Sequence, residues 1–225
     1  MSGINWEAED AKYIWHPAMQ MKDNEVFPPV VIDHAKGCYL YDTHGKAYLD
    51  IISSWWCNLL GHANPEINAA LKQQVDELEH VIFTNFTHKP AIELARELSE
   101  LLPAGLTKFT FHDNGSSAVE AALKMAFQYQ YQTGHPERTR FMCLPESYHG
   151  ETIGALSVGS MDLYAKIFHP MLMNNIHFKG LDCYRCPYGK TRETCGVECF
   201  EDAEAAFKKY GKETVACIVE PSRQG

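Results

Sequence analysis

The residues best suited to chemistry lie at 112–120, His112-Asp113-Asn114-Gly115-Ser116-Ser117-Ala118-Val119-Glu120. A β-rich run over 108–111 leads into them and a helical pattern over 118–132 leads out. Ser117-x-x-Glu120 has the spacing of a capping box, which satisfies free amides at a helix start. Backbone N–H groups there, backed by the helix dipole, make a seat for a phosphate. Gly115 lets the chain approach an anion closely, and Ser116 and Ser117 add hydroxyl donors. The same residues also serve ordinary turns, so this stretch alone leaves both readings open.

A second constellation is Cys183-x2-Cys186-x8-Cys195-x3-Cys199. Four thiolates so close in sequence predict a tetrahedral zinc site, with an iron–sulfur cluster fitting less well. Reduced structural thiols or a redox-dependent disulfide are the alternatives. Cys38, Cys57, Cys143 and Cys217 are scattered in apolar surroundings and are expected to be small core residues.

Such groups need elements to hold them. Strands are predicted at 30–32, 38–41 and 47–49, the last two flanking the turn Asp42-Thr43-His44-Gly45. Asn64-Pro65 is an N-cap followed by proline at the first helical position. A second helix from about Pro90 carries Ile92, Leu94, Ala95, Leu98, Leu101 and Leu102 on its expected inner face, and Pro103-Ala104-Gly105 stops it. From Lys108 onward strands and helices alternate: strands at 108–111, 140–144, 176–178 and 215–219, helices at 118–132, 151–158 and 200–210. This alternation implies an α/β fold with a mostly parallel sheet covered by helices. Ligands of such sheets bind at the carboxyl ends of the strands. Asn114-Gly115-Ser116, Tyr148-His149-Gly150 and Glu220-Pro221 all fall at such ends, so they are expected to converge on one site.

Composition narrows the function. The 225 residues are 45% hydrophobic, and 29 acidic against 20 basic residues give a formal charge of -9. That balance argues against a nucleic-acid or membrane-surface binder, which needs a basic face. No apolar run approaches a membrane span, and the first residues lack a signal-peptide pattern, so a cytoplasmic location is expected.

Five segments together carry a resemblance: Trp15-His16-Pro17, Ser53-Ser54-Trp55-Trp56, residues 113–120, Tyr148-His149-Gly150-Glu151-Thr152, and Glu220-Pro221-Ser222-Arg223-Gln224-Gly225. In this order, over essentially the whole chain, they resemble a class III aminotransferase of the fold-type I pyridoxal-phosphate superfamily. The resemblance implies pyridoxal 5'-phosphate as cofactor. It implies that Gly115 and Ser116 form the phosphate cup, that Tyr148 stacks on the pyridine ring and touches substrate, and that Trp55 lines the substrate pocket. Glu220 would help orient the residues around the ring nitrogen. His112 is expected to make a structural hydrogen bond, and His149 is given no chemical role. The tryptophan motifs point within the family to amination of 7-keto-8-aminopelargonate for biotin, with S-adenosylmethionine or lysine as donor. Trp55 and Trp56 could also be plain core.

Two departures bear on that reading. Ala18 stands where a substrate-contacting tyrosine often follows Trp-His-Pro, and Tyr13 does not align with it. Other ω-amino substrates (ornithine, 4-aminobutyrate, a diamine) therefore stay open. The family's cofactor-bonding lysine and its ring-nitrogen aspartate lie downstream of the E-P-x-x-Q-G pattern, and no lysine here aligns with the former. No catalytic residue is therefore expected within residues 1–225, and the fold is expected to be truncated on its C-terminal side. The domain expectation is an arm and hairpin over 1–62, then an incomplete large domain over 63–225 with the cysteine-rich insertion at 183–199. The complete enzyme is expected to be a homodimer, and the isolated chain a poor folder with uncovered apolar surface. A non-catalytic phosphate-ligand or metal-binding protein is the reading from a different class.

Overall fold

A computed structural model of the chain describes residues 3–159, 161–179 and 182–220. It divides into two compact units, Met1–Ala104 and Gly105–Gly225.

The first unit begins with helix α1 (Trp6–Tyr13) and continues into an antiparallel sheet of β1 (Ile32–Lys36), β2 (Tyr39–Asp42) and β3 (Ala47–Leu49). The β2–β3 turn closes as its residues dictate. Asp42 Oδ1 accepts from the amides of His44 (2.9 Å) and Lys46 (2.8 Å), and Asp42 Oδ2 accepts from the Tyr48 hydroxyl (3.0 Å). After β3 comes a single turn, α2 (Ser53–Trp56), wound left-handed. Asn64 caps α3 (Pro65–Glu77) by accepting from the amides of Glu66 and Ile67, and His88 caps α4 (Lys89–Leu101). The expected inner face of α4 is not buried: Ile92, Leu94, Leu101 and Leu102 are all exposed, as are Ile67, Leu71 and Val75 of α3. Amphipathic spacing sets which face is apolar; only a partner can cover it, and none does so among the described residues.

The second unit holds every buried apolar side chain among the described residues. Helix α5 (Gly115–Gln132) precedes β4 (Arg140–Cys143), α6 (Ile153–Val158), α7 (Asp162–Ala165), β5 (Ile176–His177), α8 (Cys199–Tyr210) and β6 (Thr214–Ile218). The strands form a three-stranded parallel sheet in the order β5-β4-β6, with Met142 opposite Ile176 and Cys217. Leu123 of α5, Phe141 and Cys143 of β4, Val158 of α6 and Val215 of β6 form the core. The expected βα alternation is therefore present.

Two expectations fail on backbone grounds. Residues 108–111 form no strand, because no strand among the described residues lies beside them; β-prone residues become a strand only when a ladder partner takes their hydrogen bonds. Cys38, Cys57 and Cys217 are exposed and only Cys143 is buried; the unit holding the first two buries no apolar side chain among the described residues.

Candidate functional site

The site is built on three chain segments at one end of the parallel sheet. The first is the start of α5. Asn114, in extended backbone, is the N-cap: its Oδ1 accepts from the Ser117 amide at 2.8 Å and its carbonyl from the Ala118 amide at 3.1 Å. The predicted Ser117/Glu120 capping box does not form, because the helix begins earlier and both residues lie inside it. The amides of Gly115 and Ser116 fall in the first turn, where helix geometry supplies no intrahelical acceptor.

The second segment follows β4. Ser147 anchors it by donating its hydroxyl to the Leu144 carbonyl at 2.8 Å. Gly150 then lies against Ser116: a Cβ there would sit 2.2 Å from Ser116 Oγ, and its φ of +120° is one that side-chain-bearing residues avoid. One residue on, the Glu151 amide donates to Ser116 Oγ at 3.3 Å.

The third segment is the end of β6. Glu220 Oε1 accepts from the Tyr148 amide at 2.7 Å, tying the loop after β4 to the strand beside it. Ser116, Tyr148 and Glu220 are thus brought together as the sequence predicts. Pro221-Ser222-Arg223-Gln224-Gly225, the rest of that motif, lies outside the described residues.

The Tyr148 ring is exposed and meets Tyr164 edge-on at 6.0 Å, while its hydroxyl donates to Glu151 Oε1 at 3.2 Å. Partial burial, then the Glu151 carboxylate, raises the pKa of its phenol. His149, beside it, carries a signal that sequence reading missed. Its Nε2 is buried with no hydrogen-bond partner among the described residues. Burial lowers its pKa, partly offset by Glu220, so the neutral ring is favoured. His112 makes the expected structural contact, its Nε2 lying 3.2 Å from Thr110 Oγ1.

Glu120 is a further residue whose role only the fold reveals. Its Oε1 accepts from the amides of Gly154 (2.7 Å) and Ala155 (3.2 Å), at the start of α6. Thr152, the N-cap of that helix, makes no side-chain cap bond, so Glu120 caps α6 across 34 residues of sequence. The same carboxylate braces α5 against the helix that follows the site loop.

Trp55 belongs to the first unit, on the left-handed turn, with an exposed side chain. Cys183, Cys186, Cys195 and Cys199 line one small cavity with Asp182, Tyr188 and Glu198. The zinc expectation nevertheless finds no support. Among the described residues no group of three or more His, Cys, Asp or Glu side chains is arranged to hold a metal ion. Cys195 Sγ instead accepts from the Val197 amide at 3.3 Å, and Glu198 pairs with Lys190 at 3.1 Å. Burial, then the neighbouring Cys195 thiol, raises the pKa of Cys199.

This arrangement can hold a phosphate at a helix start, present an aromatic face beside it, and keep a neutral imidazole and a carboxylate at the strand ends. Comparison with known proteins identifies the family. Residues 19–225 match the family model "Aminotransferase class-III". The adenosylmethionine-8-amino-7-oxononanoate aminotransferase of Geobacter sulfurreducens is 44% identical, over 96% of this chain and 48% of its own length. The enzyme of that name from Methanocaldococcus jannaschii is 38% identical, over 97% of this chain and 49% of its own. Its crystal structure superposes with a TM-score of 0.83 at 36% identity, covering 94% of this chain and 45% of that one. An omega transaminase from Pseudomonas jessenii in complex with PMP gives a TM-score of 0.89 at 27% identity, covering 99% of this chain and 49% of that one. The chain spans about half the length of the curated relatives it matches.

Proposed function

Because the chain belongs to the class-III aminotransferase family, we propose that the protein carrying it transfers an amino group to 7-keto-8-aminopelargonate, giving 7,8-diaminopelargonate for biotin, with S-adenosylmethionine as donor. The observation that carries this reading is the 44% identity, over nearly the whole chain, to a relative whose name states both donor and acceptor.

The site residues fit the family's cofactor, pyridoxal 5'-phosphate. Gly150 packs directly against Ser116, where a Cβ would not fit, and His149 Nε2 is a buried polar atom without a hydrogen-bond partner among the described residues. In this reading the amides of Gly115 and Ser116, with the Ser116 hydroxyl, hold the phosphate. Tyr148 lies against the ring and reaches substrate. Glu220 fixes Tyr148 through the backbone and orients the groups around the ring nitrogen, and Trp55 lines the acceptor pocket. When bound, the cofactor supplies the electron sink that amino-group transfer needs. This chain's residues bind and orient. The bonding lysine and the ring-nitrogen aspartate belong, in this reading, to the part of the relatives' length that the chain does not cover.

The same reading takes residues 1–62 as arm and hairpin of the small domain and 63–225 as part of the large one, bearing the insertion at 183–199. It takes the working enzyme as a cytoplasmic homodimer without nucleic-acid partners; among the described residues no helix is long and apolar enough to cross a membrane. Other ω-amino acceptors, left open by Ala18, have weaker support. The omega transaminase above is 27% identical, below the biotin-pathway relatives.

The test is turnover of the keto acid by the protein at its relatives' full length, with S-adenosylmethionine and lysine offered separately as donors. Formation of 7,8-diaminopelargonate supports the proposal. Turnover with ornithine, 4-aminobutyrate or diamines but not the keto acid overturns it. Residues 1–225 expressed alone are expected to be inactive.

A further inference from the structure

Ser53, Ser54, Trp55 and Trp56 have φ of 49°, 48°, 57° and 66°, four consecutive left-handed residues without a glycine. For L-residues with a Cβ this conformation is disfavoured roughly five- to thirtyfold per residue. A run of four persists only if its surroundings impose it.

The restraint centres on Asp50. Its Oδ1 accepts from the Ser54 amide at 2.9 Å, and its Oδ2 accepts from the Ser54 hydroxyl at 2.8 Å. The same Oδ2 lies 2.8 Å from His62 Nε2, and the two side chains are 6% and 13% exposed, shielding the pair from water. Both residues are themselves tied to the hairpin. The Asp50 amide donates to the Cys38 carbonyl at 2.9 Å, and Gly37 and His62 exchange backbone hydrogen bonds of 3.0 and 2.8 Å. That exchange needs close approach: a Cβ on Gly61, at φ +82°, would meet the Gly37 carbonyl oxygen at 3.2 Å. The turn also closes on backbone bonds of its own, from the Trp56 amide to the Ile52 carbonyl at 2.8 Å and from the Asn58 amide to the Ser53 carbonyl at 3.1 Å, while the Asp50 carboxylate ties it by side chain to His62 and the hairpin. Trp55 and Trp56 are 66% and 79% exposed.

We infer that Asp50 is a positioning residue for acceptor specificity: by imposing the left-handed turn at Ser53–Trp56, it sets the direction in which Trp55 meets the aliphatic chain of the keto acid. The inference rests on the reading of Trp55 as a substrate contact.

The experiment uses the protein at its relatives' full length, with KM and kcat for the keto acid and cofactor affinity by absorbance titration. Asp50→Ala is expected to raise KM by about tenfold or more, with kcat and cofactor affinity near the starting values, as for lost ground-state positioning. Adding Ser53→Gly and Ser54→Gly to that variant is expected to restore most of the lost affinity, because glycine enters the left-handed region freely. Asp50→Asn keeps an acceptor for the Ser54 amide at equal volume, and should give an intermediate rise; it serves as the test if Asp50→Ala does not fold. An unchanged KM in Asp50→Ala, or in Asp50→Asn where that is the test, beside a raised KM in Trp55→Ala, overturns the inference alone. So does a raised KM that the two glycines fail to lower. An unchanged KM in Trp55→Ala removes the substrate contact itself, and the inference with it.

Discussion

Gly150→Ala should damage cofactor binding and stability together, for two separable reasons. The backbone at Gly150 has φ +120°, and holding a non-glycine residue in such a region costs about 1–3 kcal/mol. The added methyl would also lie 2.2 Å from Ser116 Oγ, 2.9 Å from its Cβ and 3.0 Å from its Cα. Rotating the hydroxyl away clears only the first contact. The other two require the loop or the start of α5 to shift, and overpacking of this kind costs about 1–3 kcal/mol more. The sum, about 2–6 kcal/mol, is a large part of an ordinary domain's stability. Whatever shift relieves the clash moves Ser116, and with it a proposed phosphate donor. In the full-length protein, urea unfolding should show a loss of at least about 2 kcal/mol, and titration should show at least about tenfold weaker pyridoxal-phosphate binding. Gly134→Ala is the control. It has φ +89° with nothing within 4 Å of the added Cβ, so it suffers the conformational cost without the steric one and leaves cofactor affinity unchanged. If the two alanines behave alike, or Gly150→Ala binds cofactor normally, the contact between this loop and the helix start is not what shapes the site.

Glu120→Ala removes the acceptor for the Gly154 and Ala155 amides, and should cost about 1–3 kcal/mol in urea unfolding; a loss under about 0.5 kcal/mol would refute its capping role. Thiol alkylation at about pH 8, read by mass spectrometry, should label exposed Cys183 and Cys195 quickly. It should spare Cys143, which burial and then Cys217 push up to about 12; rapid labelling of Cys143 in the folded protein would contradict the core described here. Asp50 is held down to about 2, first by the Ser54 amide and then by His62 and the Ser54 hydroxyl. A lowered folded pKa means that its contribution is complete above the unfolded value of about 4 and is lost as pH falls towards 2. Acid titration should therefore show Asp50→Asn converging on the wild type in stability across that window; a constant difference would show that the carboxylate charge is not what the turn uses.

Much of this was legible in the residues themselves. Local rules act over a few positions, and most held where they were applied locally, the Ser117/Glu120 capping box excepted. Asn64-Pro65 caps and opens α3, Asp42 closes the β2–β3 turn, and apolar runs at 140–144 and 215–219 become parallel strands. Because a parallel sheet puts strand ends on one edge, the meeting of Tyr148 and Glu220 could be foreseen; Ser116 joins them from the start of α5, although the strand expected before it does not form. What failed depended on partners distant in sequence. Residues 108–111 have strand chemistry but no ladder beside them, and α4 has an apolar face that nothing covers among the described residues. The cysteine spacing suits zinc, and the four cysteines line one cavity, yet among the described residues no group of three or more His, Cys, Asp or Glu side chains is arranged to hold a metal ion, since spacing limits distance without setting direction. Nor does any local rule give Glu120 its place on α6, leave His149 Nε2 without a partner among the described residues, or force four side-chain-bearing residues into a left-handed turn. Sequence by itself determined most of the elements and the family, because both are written in short motifs. Tertiary structure alone decided which carboxylates hold those elements in place, because a hydrogen bond across 34 residues exists only once the chain has folded.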